Sequence, residues 1–219
     1  FGFLHVFVAG YVRALAARPG LNRFVANEKL YSRYDIDIMM TIKKELSLNA
    51  EETCIKITPK PDYTAKQVYE LLNEVIKENR ESDGDSSFEN AAKLLNHIPG
   101  FVMKLAVKVL KLMDRWDLLP RSLIKLSPFH GSMFLTSMGS LGIPPVYHHL
   151  YDFGNVPMFI SYGAKRKENV LAKDGTVITK TFIDYTITTD DRTCDGHYYA
   201  SALKLFKSIM ENPWQLDTP

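Results

Sequence analysis

An α/β domain is what this sequence predicts, because helical and strand-like apolar periodicities share one chain. Phe1 to Ala17 is apolar almost all round, interrupted by His5 and Arg13, as a buried helix is. Ile36, Ile38, Met40 and Ile42 alternate with Asp35, Asp37, Met39 and Thr41, the period of a strand with one buried face. Thr181 to Thr189 puts Ile183, Tyr185 and Ile187 on one face, and a helical pattern starts at His197, so strand gives way to helix at one short corner.

The 219 residues, 46% of them hydrophobic, suffice for one sizeable core, and no repeat or low-complexity tract divides them. The expectation is a single domain over residues 1–219. Its 27 basic and 25 acidic side chains nearly cancel, to a formal +2, and are interspersed, which leaves no footprint for nucleic acid. Cys54 and Cys194 lack the spacing of a zinc site or a disulfide framework and fit a reducing, cytoplasmic compartment. No apolar run reaches the roughly 18 to 20 residues of a membrane span. Phe1 is not an initiator methionine and opens inside a helical pattern, so an N-terminal segment is expected upstream; no basic leader marks a signal peptide.

The first helix ends at Arg18-Pro19-Gly20. Two β-prone runs then flank the polar Asn27-Glu28-Lys29, which predicts a hairpin. Thr53 to Thr58 reads as a strand and Thr64 to Glu81 as a helix with Val68, Leu71, Leu72, Val75 and Ile76 inward, followed by an exposed loop from Ser82 to Ser87. Between Phe101 and Trp116, Lys104, Lys108, Lys111 and Arg115 share one narrow helical face and apolar residues take the rest. That pattern suits a membrane-surface or partner-binding helix. It equally suits a helix packed in the core or at a subunit interface with its lysines in water, and this is the expectation adopted. Met158 to Gly163 is a short apolar strand, and a turn at Lys173-Asp174-Gly175 joins strands Asn169 to Ala172 and Thr176 to Thr189. The last helix, His197 to Glu211, buries Tyr199, Leu203, Phe206, Ile209 and Met210 and stops at Asn212-Pro213.

Three stretches carry a family resemblance. Thr188-Thr189-Asp190-Asp191-Arg192-Thr193-Cys194-Asp195-Gly196 resembles the signature of the chloramphenicol acetyltransferase and dihydrolipoyl acyltransferase catalytic domains, Asp-His-Arg-x-x-Asp-Gly or His-His-x-x-Cys-Asp-Gly at a strand-to-helix corner. Asp191 stands where that family has its catalytic histidine, and Asp195 matches its structural aspartate. Gly131 to Gly142 resembles the strand Gly-x-Phe-Thr-Ile-Ser-Asn-Leu-Gly-x-x-Gly, placing Thr136 at the hydroxyl that hydrogen-bonds the oxyanion. Ala14 to Arg23 resembles, more weakly, the family's helix ending in His-Pro-Glu-Leu-Asn. The resemblance runs from about residue 1 to 212. It implies a mixed β-sheet with flanking helices in a chloramphenicol acetyltransferase-like fold, a homotrimer with active sites between subunits, and acyl transfer from a thioester to a hydroxyl or thiol of a small-molecule acceptor. It further implies coenzyme A as acyl donor, no metal, Asp191, Thr136 and Asp195 as catalytic positions, and Ser137 and Gly139 beside the cofactor.

An aspartate at the histidine position is a weak base at neutral pH, since its unperturbed pKa is near 4. Loss of a general base typically costs about 10²- to 10⁴-fold. A substitute is drawn from Asp191 itself, His148, His149, His130 or His197. His148 and His149 lie in a stretch, Ile143 to Asn155, that is longer than the family's, close to the expected substrate channel. Neighbouring histidines point to different sides of an extended chain, so the two cannot readily bind one ion with Asp152. Thr136 also has a plain reading as a β-branched strand residue, and Asp190, Asp191 and Asp195 either end a strand and cap a helix or hold a hard cation. The family's arginine partner for Asp195 would lie upstream, leaving Arg192 and Arg23 as candidates. Asp195 is expected to be the paired carboxylate, and Asp191 the buried one of weakened acidity. Two functions follow: a coenzyme A-dependent acyltransferase with an altered active site, or a catalytically inactive trimeric binding or scaffold protein that retains the fold.

Overall fold

The computed structural model describes residues 1–43, 52–81 and 99–219. Asn27 and Glu28 both adopt positive φ, 47° and 60°, the conformation a two-residue hairpin turn requires. They join β1 (Arg23–Ala26) to β2 (Lys29–Ser32) in the expected hairpin. The main sheet contains β3 (Ile38–Lys43), β4 (Glu52–Ile57), β5 (Met133–Ser137), β6 (Met158–Leu171) and β7 (Val177–Thr189) in the order β4-β3-β5-β6-β7. Its centre is parallel, β3 to β5 and β5 to β6, and its flanks are antiparallel. The expected mixed sheet with flanking helices is therefore what the chain forms.

One face of the sheet packs against α1 (Phe3–Ala17), α2 (Ala65–Glu81) and α5 (Gly196–Glu211). Phe7, Leu15, Ile38, Leu72, Leu135, Ile160 and Phe206 share that core, and each such side chain contributes about 1.5–3 kcal/mol on burial. The helix α2 starts in a capping box, where the Thr64 N–H donates to Gln67 Oε1 at 2.8 Å and the Gln67 N–H to Thr64 Oγ1 at 3.4 Å. At Gly10 the helices α1 and α5 come close: a Cβ there would lie 3.0 Å from Met210 Sδ and 3.4 Å from Phe206 Cε2.

The opposite face holds a second cluster of Met39, Phe134, Val156 and Phe159. Met39, expected outward with Asp35, Asp37 and Thr41, is fully buried there. Central strands of a sheet covered on both sides bury both halves of the alternation. The short strand expected at Met158 to Gly163 and the one at Asn169 to Ala172 are a single strand, β6, with a register shift between Tyr162 and Lys165. Beyond that shift β6 and β7 form an exposed ribbon, closed at Asp174, whose Oδ1 accepts from the Thr176 N–H at 3.0 Å. The helix α5 buries Ala202, Phe206 and Ile209 and half-buries Tyr199, Leu203 and Met210.

The helices α3 (Gly100–Arg115) and α4 (Arg121–Leu126) contain no buried residue. Of the two placements expected for Phe101 to Trp116, in the core or at a subunit interface, the core is corrected, because Phe101, Leu105 and Leu112 project to solvent at 76%, 62% and 57% exposure. The loop expected at Ser82 to Ser87 lies outside the described residues.

Candidate active site

At the corner after β7, Asp190 organises the turn. Its Oδ1 accepts from the Arg192 N–H at 3.1 Å, and its two oxygens take Arg192 Nε at 2.8 Å and Nη2 at 2.7 Å. The Arg192 side chain, helped by its backbone N–H, holds the Asp190 carboxyl below the usual carboxylate range against the effect of burial. Thr193 is buried and donates its hydroxyl to the Asp190 carbonyl at 2.7 Å. Asp195 caps α5, accepting from the Tyr198 N–H at 2.9 Å, and that bond lowers its pKa although the carboxylate is exposed. The expectation that Arg192 or Arg23 pairs with Asp195 is corrected: Arg192 belongs to Asp190, and a helix N-terminus serves Asp195. Asp191 is exposed, so the burial expected for it is absent.

Thr136 sits on β5 opposite Ser161 of β6, two residues after Phe134, which lies opposite Phe159. Strand alternation puts Thr136 on the Phe134 and Phe159 side. The 145–149 segment crosses that side, strapped by the Val146 N–H donating to Ser161 Oγ at 3.1 Å and by the Thr186 hydroxyl donating to the Val146 carbonyl. His148, half-buried, lies flat on Phe159 with ring centroids 3.9 Å apart at 6°. Its Nδ1 lies 2.6 Å from the His149 carbonyl oxygen. A carbonyl only accepts, so Nδ1 carries a proton, and in the neutral ring Nε2 is the nitrogen with the lone pair. The two histidines do not point apart as expected: their rings stack, 4.8 Å between centroids at 12°. Thr136 and His148 thus share one sheet face, although no hydrogen bond among the described residues joins the Thr136 hydroxyl to an imidazole.

Ser137 faces the other way, toward the α1 and α5 core, where it hydrogen-bonds Tyr162. Gly139 permits a close approach to β6, since a Cβ there would lie 3.1 Å from the Gly163 carbonyl oxygen. His197 is exposed in the first turn of α5.

His130 is 1% exposed and has both nitrogens engaged, Nε2 with Asp114 Oδ1 at 2.8 Å and Nδ1 with Ser127 Oγ at 2.8 Å. The Gly154 N–H donates to Asp114 Oδ2 at 2.9 Å, and Lys56 Nζ donates to the His130 carbonyl at 2.8 Å and the Ile124 carbonyl at 3.0 Å. Burial would raise the Asp114 carboxyl, but the His130 and Gly154 bonds hold it low. This bracket fixes α3 and α4 to the sheet and leaves His130 no free nitrogen for a substrate. Sequence reasoning passed over Asp114; its signal is spacing, since it falls four residues after Leu110 on the inward face of α3. Arg33 was missed as well. It donates from Nη2 to the Asn155 carbonyl at 2.9 Å, lies 4.3 Å over the Phe24 ring, and is brought down to about 10 by burial.

An open cleft of about 380 Å³ adjoins the corner, with Lys111, Arg115 and Arg192 facing Glu28, Asp114 and Asp152. Among the described residues no group of three or more His, Cys, Asp or Glu side chains is placed to hold a metal ion.

The fold and the corner together direct attention to the family named by the sequence motifs. Residues 124–217 match the family described as 2-oxoacid dehydrogenases acyltransferase (catalytic domain). The resemblance to this acyltransferase family is shown over the stretch that carries Thr136, His148, His149, Asp191 and Asp195. Among solved structures, a probable dihydrolipoamide acetyltransferase from Listeria monocytogenes is similar at 15% identity and a TM-score of 0.64, over 96% of this chain and 70% of that one. The dihydrolipoamide acetyltransferase of Azotobacter vinelandii is similar at 10% identity and a TM-score of 0.64, over 98% and 70% of the two chains. A chloramphenicol acetyltransferase is similar at 12% identity and a TM-score of 0.51, over 95% and 78%. At these identities the likeness is one of fold. No curated protein matches the chain.

Proposed function

We propose that this chain is an acyltransferase domain with an altered active site, which moves an acyl group from a coenzyme A thioester to a hydroxyl or thiol acceptor. The observation that carries the proposal is that Thr136 and a half-buried His148 lie on one sheet face, with Nδ1 of the imidazole engaged by a carbonyl and Nε2 without a hydrogen-bond partner among the described residues. His148 Nε2 takes the proton of the acceptor as its oxygen or sulfur attacks the thioester carbonyl. The oxyanion that forms accepts a hydrogen bond from the Thr136 hydroxyl, an interaction typically worth about 3 kcal/mol. Collapse expels the coenzyme A thiolate, which recovers the proton from His148. Asp191, exposed and acidic, takes no part as a base, and Asp195 keeps the corner in shape. The cleft mixes cations and anions, which suits a polar acceptor better than a polyphosphate, so the donor enters from the other side, as the family resemblance implies. Ser137 and Gly139 support that side of β5.

The assembly is a homotrimer in this reading, supported by the family resemblance and by the exposed β6–β7 ribbon, where Leu171 and Val177 are 75% and 67% exposed. The second reading, an inactive trimeric binding or scaffold protein, is favoured by one observation: an aspartate stands at the motif histidine's place and no hydrogen bond among the described residues joins an imidazole to Thr136. Single-turnover acyl transfer from acetyl-coenzyme A to a panel of thiols and alcohols, followed by thiol release, decides between them. Release that His148→Ala abolishes supports the enzyme; no release at any acceptor supports the scaffold. Light scattering tests the trimer, and a monomer of 25.0 kDa would overturn it.

A further inference from the structure

The outward surface of α3 and α4 lends Lys111 and Arg115 to the cleft, but the rest of its composition is not used by the acyltransferase reading. Phe101, Val102, Leu105, Val109, Leu112 and Trp116 form an exposed apolar stripe, 38% to 76% accessible. Beside it along α3 runs a second stripe of Lys104, Lys108, Lys111 and Arg115, all exposed. Residues α3 turns toward the protein, Met103, Ala106, Leu110 and Asp114, are only half-buried. The surface continues through exposed Leu118 and α4, where Leu123 and Leu126 alternate with Arg121 and Lys125.

Charge balance on this surface is one-sided. The acidic residue of α3, Asp114, is turned inward to His130 and the Gly154 N–H, which leaves Asp117 as the exposed acid against six exposed cations between residues 100 and 126. A chain whose formal charge is only +2 therefore concentrates positive charge where it also exposes aliphatic and aromatic side chains. Lysine and arginine stems can lie along apolar surface while their heads stay in water. The bracket of His130, Asp114 and Lys56 holds the helices at fixed orientation, so the stripe is presented rather than frayed. No helix among the described residues is long and apolar enough to cross a membrane, so the surface would lie on a bilayer and not span it.

We propose that α3 and α4 dock this domain on an anionic lipid surface, with the apolar stripe entering the headgroup boundary and the lysines meeting acidic headgroups. Vesicle co-sedimentation with the full chain tests this. Binding to phosphatidylglycerol-containing vesicles should exceed binding to pure phosphatidylcholine vesicles by at least about tenfold, and should weaken as salt shortens the Debye length. Lys104→Glu with Lys108→Glu should abolish it, and so should Leu105→Ser with Leu112→Ser. These side chains are exposed, and an unchanged circular dichroism melt shows that the variants still fold. In a Trp214→Phe background the emission of Trp116 should shift to the blue on adding anionic vesicles. The proposal is overturned by equal binding to neutral vesicles, by binding that survives charge reversal, or by an unshifted Trp116. It is equally overturned if the two variant pairs break a self-association of the chain in lipid-free buffer, which would make the stripe a contact between copies.

Discussion

His148 donates its Nδ1–H to the carbonyl of His149 at 2.6 Å while its ring lies on Phe159. A carbonyl partner allows one tautomer of the neutral ring, so Nε2 is its basic nitrogen. If His148 is the base, His148→Ala lowers kcat/KM by about 10²- to 10⁴-fold and leaves KM for the thioester nearly unchanged. His148→Asn, which can still donate to the carbonyl but has no ring base, should be as inactive as the alanine variant. Activity retained in either would remove His148 from the mechanism.

Asp191, which the motif resemblance matches to the family's histidine, faces solvent. Asp191→Ala should therefore leave any measured acyl transfer within about threefold of the parent chain, since an exposed aspartate is a poor base at neutral pH. Asp191→His should raise the rate if Thr136 is correctly placed to meet the new imidazole. A large loss in Asp191→Ala would show that the carboxylate itself acts.

Acid sensitivity should trace to the carboxylates that the fold holds low. Asp190 has a folded pKa below its ordinary value of 3.8, so its pairing with Arg192 stabilises the protein fully above that value. The stabilisation is lost as pH falls through the folded pKa. Asp190→Asn removes it at every pH. The difference in urea midpoint between parent and variant should be widest at pH 7 and shrink below about pH 4. A gap that stays constant into acid would mean the bond contributes through shape and not charge. Arg192 is largely exposed, which keeps the whole effect modest.

How far the molecule could be read from its residues varied with the kind of contact involved. Periodicity located α1, α2 and α5 and the β1–β2 hairpin, because each buries one face against a single neighbour layer. It misplaced Met39, because a sheet covered on both sides makes a buried residue look like part of the polar set. It split β6 in two at Lys165, Arg166 and Lys167, whose charges resemble a break when the strand leaves the body as a solvated ribbon. The corner motif pointed to the family whose description matches residues 124–217, but the pairing of Arg192 with Asp190 depends on which way a turn points its side chains. No linear spacing encodes that. The His130–Asp114 bracket was equally hidden, since its partners come from different elements.

Gly154 should be intolerant of any side chain. Its φ is +86°, and a Cβ would lie 2.0 Å from the Phe129 carbonyl oxygen, a backbone atom that cannot step aside. Its N–H also holds Asp114. Gly154→Ala should cost more than about 2 kcal/mol in chemical denaturation, combining left-handed strain with a displaced hydrogen bond. Gly175, also at positive φ but with open space around it, provides the comparison: Gly175→Ala pays for strain alone and should cost about 1 kcal/mol.

The parallel seam at the middle of the sheet has a consequence for how the chain reaches this structure. Ile38 pairs with Met133, and beside them the Asp37 N–H meets Ser132 Oγ at 3.0 Å across 95 residues of sequence. The β6–β7 ribbon, in contrast, closes over a single tight turn. Closing a long loop loses chain entropy before any contact compensates for it. The two outer hairpins, β3–β4 and β6–β7, are thus able to form early and independently, and β5 acts as the keystone that joins them late. Mutations at Leu135 should then accelerate unfolding while barely changing the folding rate, whereas Ile183→Val should slow folding. Stopped-flow chevrons giving the reverse assignment would show that the seam nucleates the fold instead.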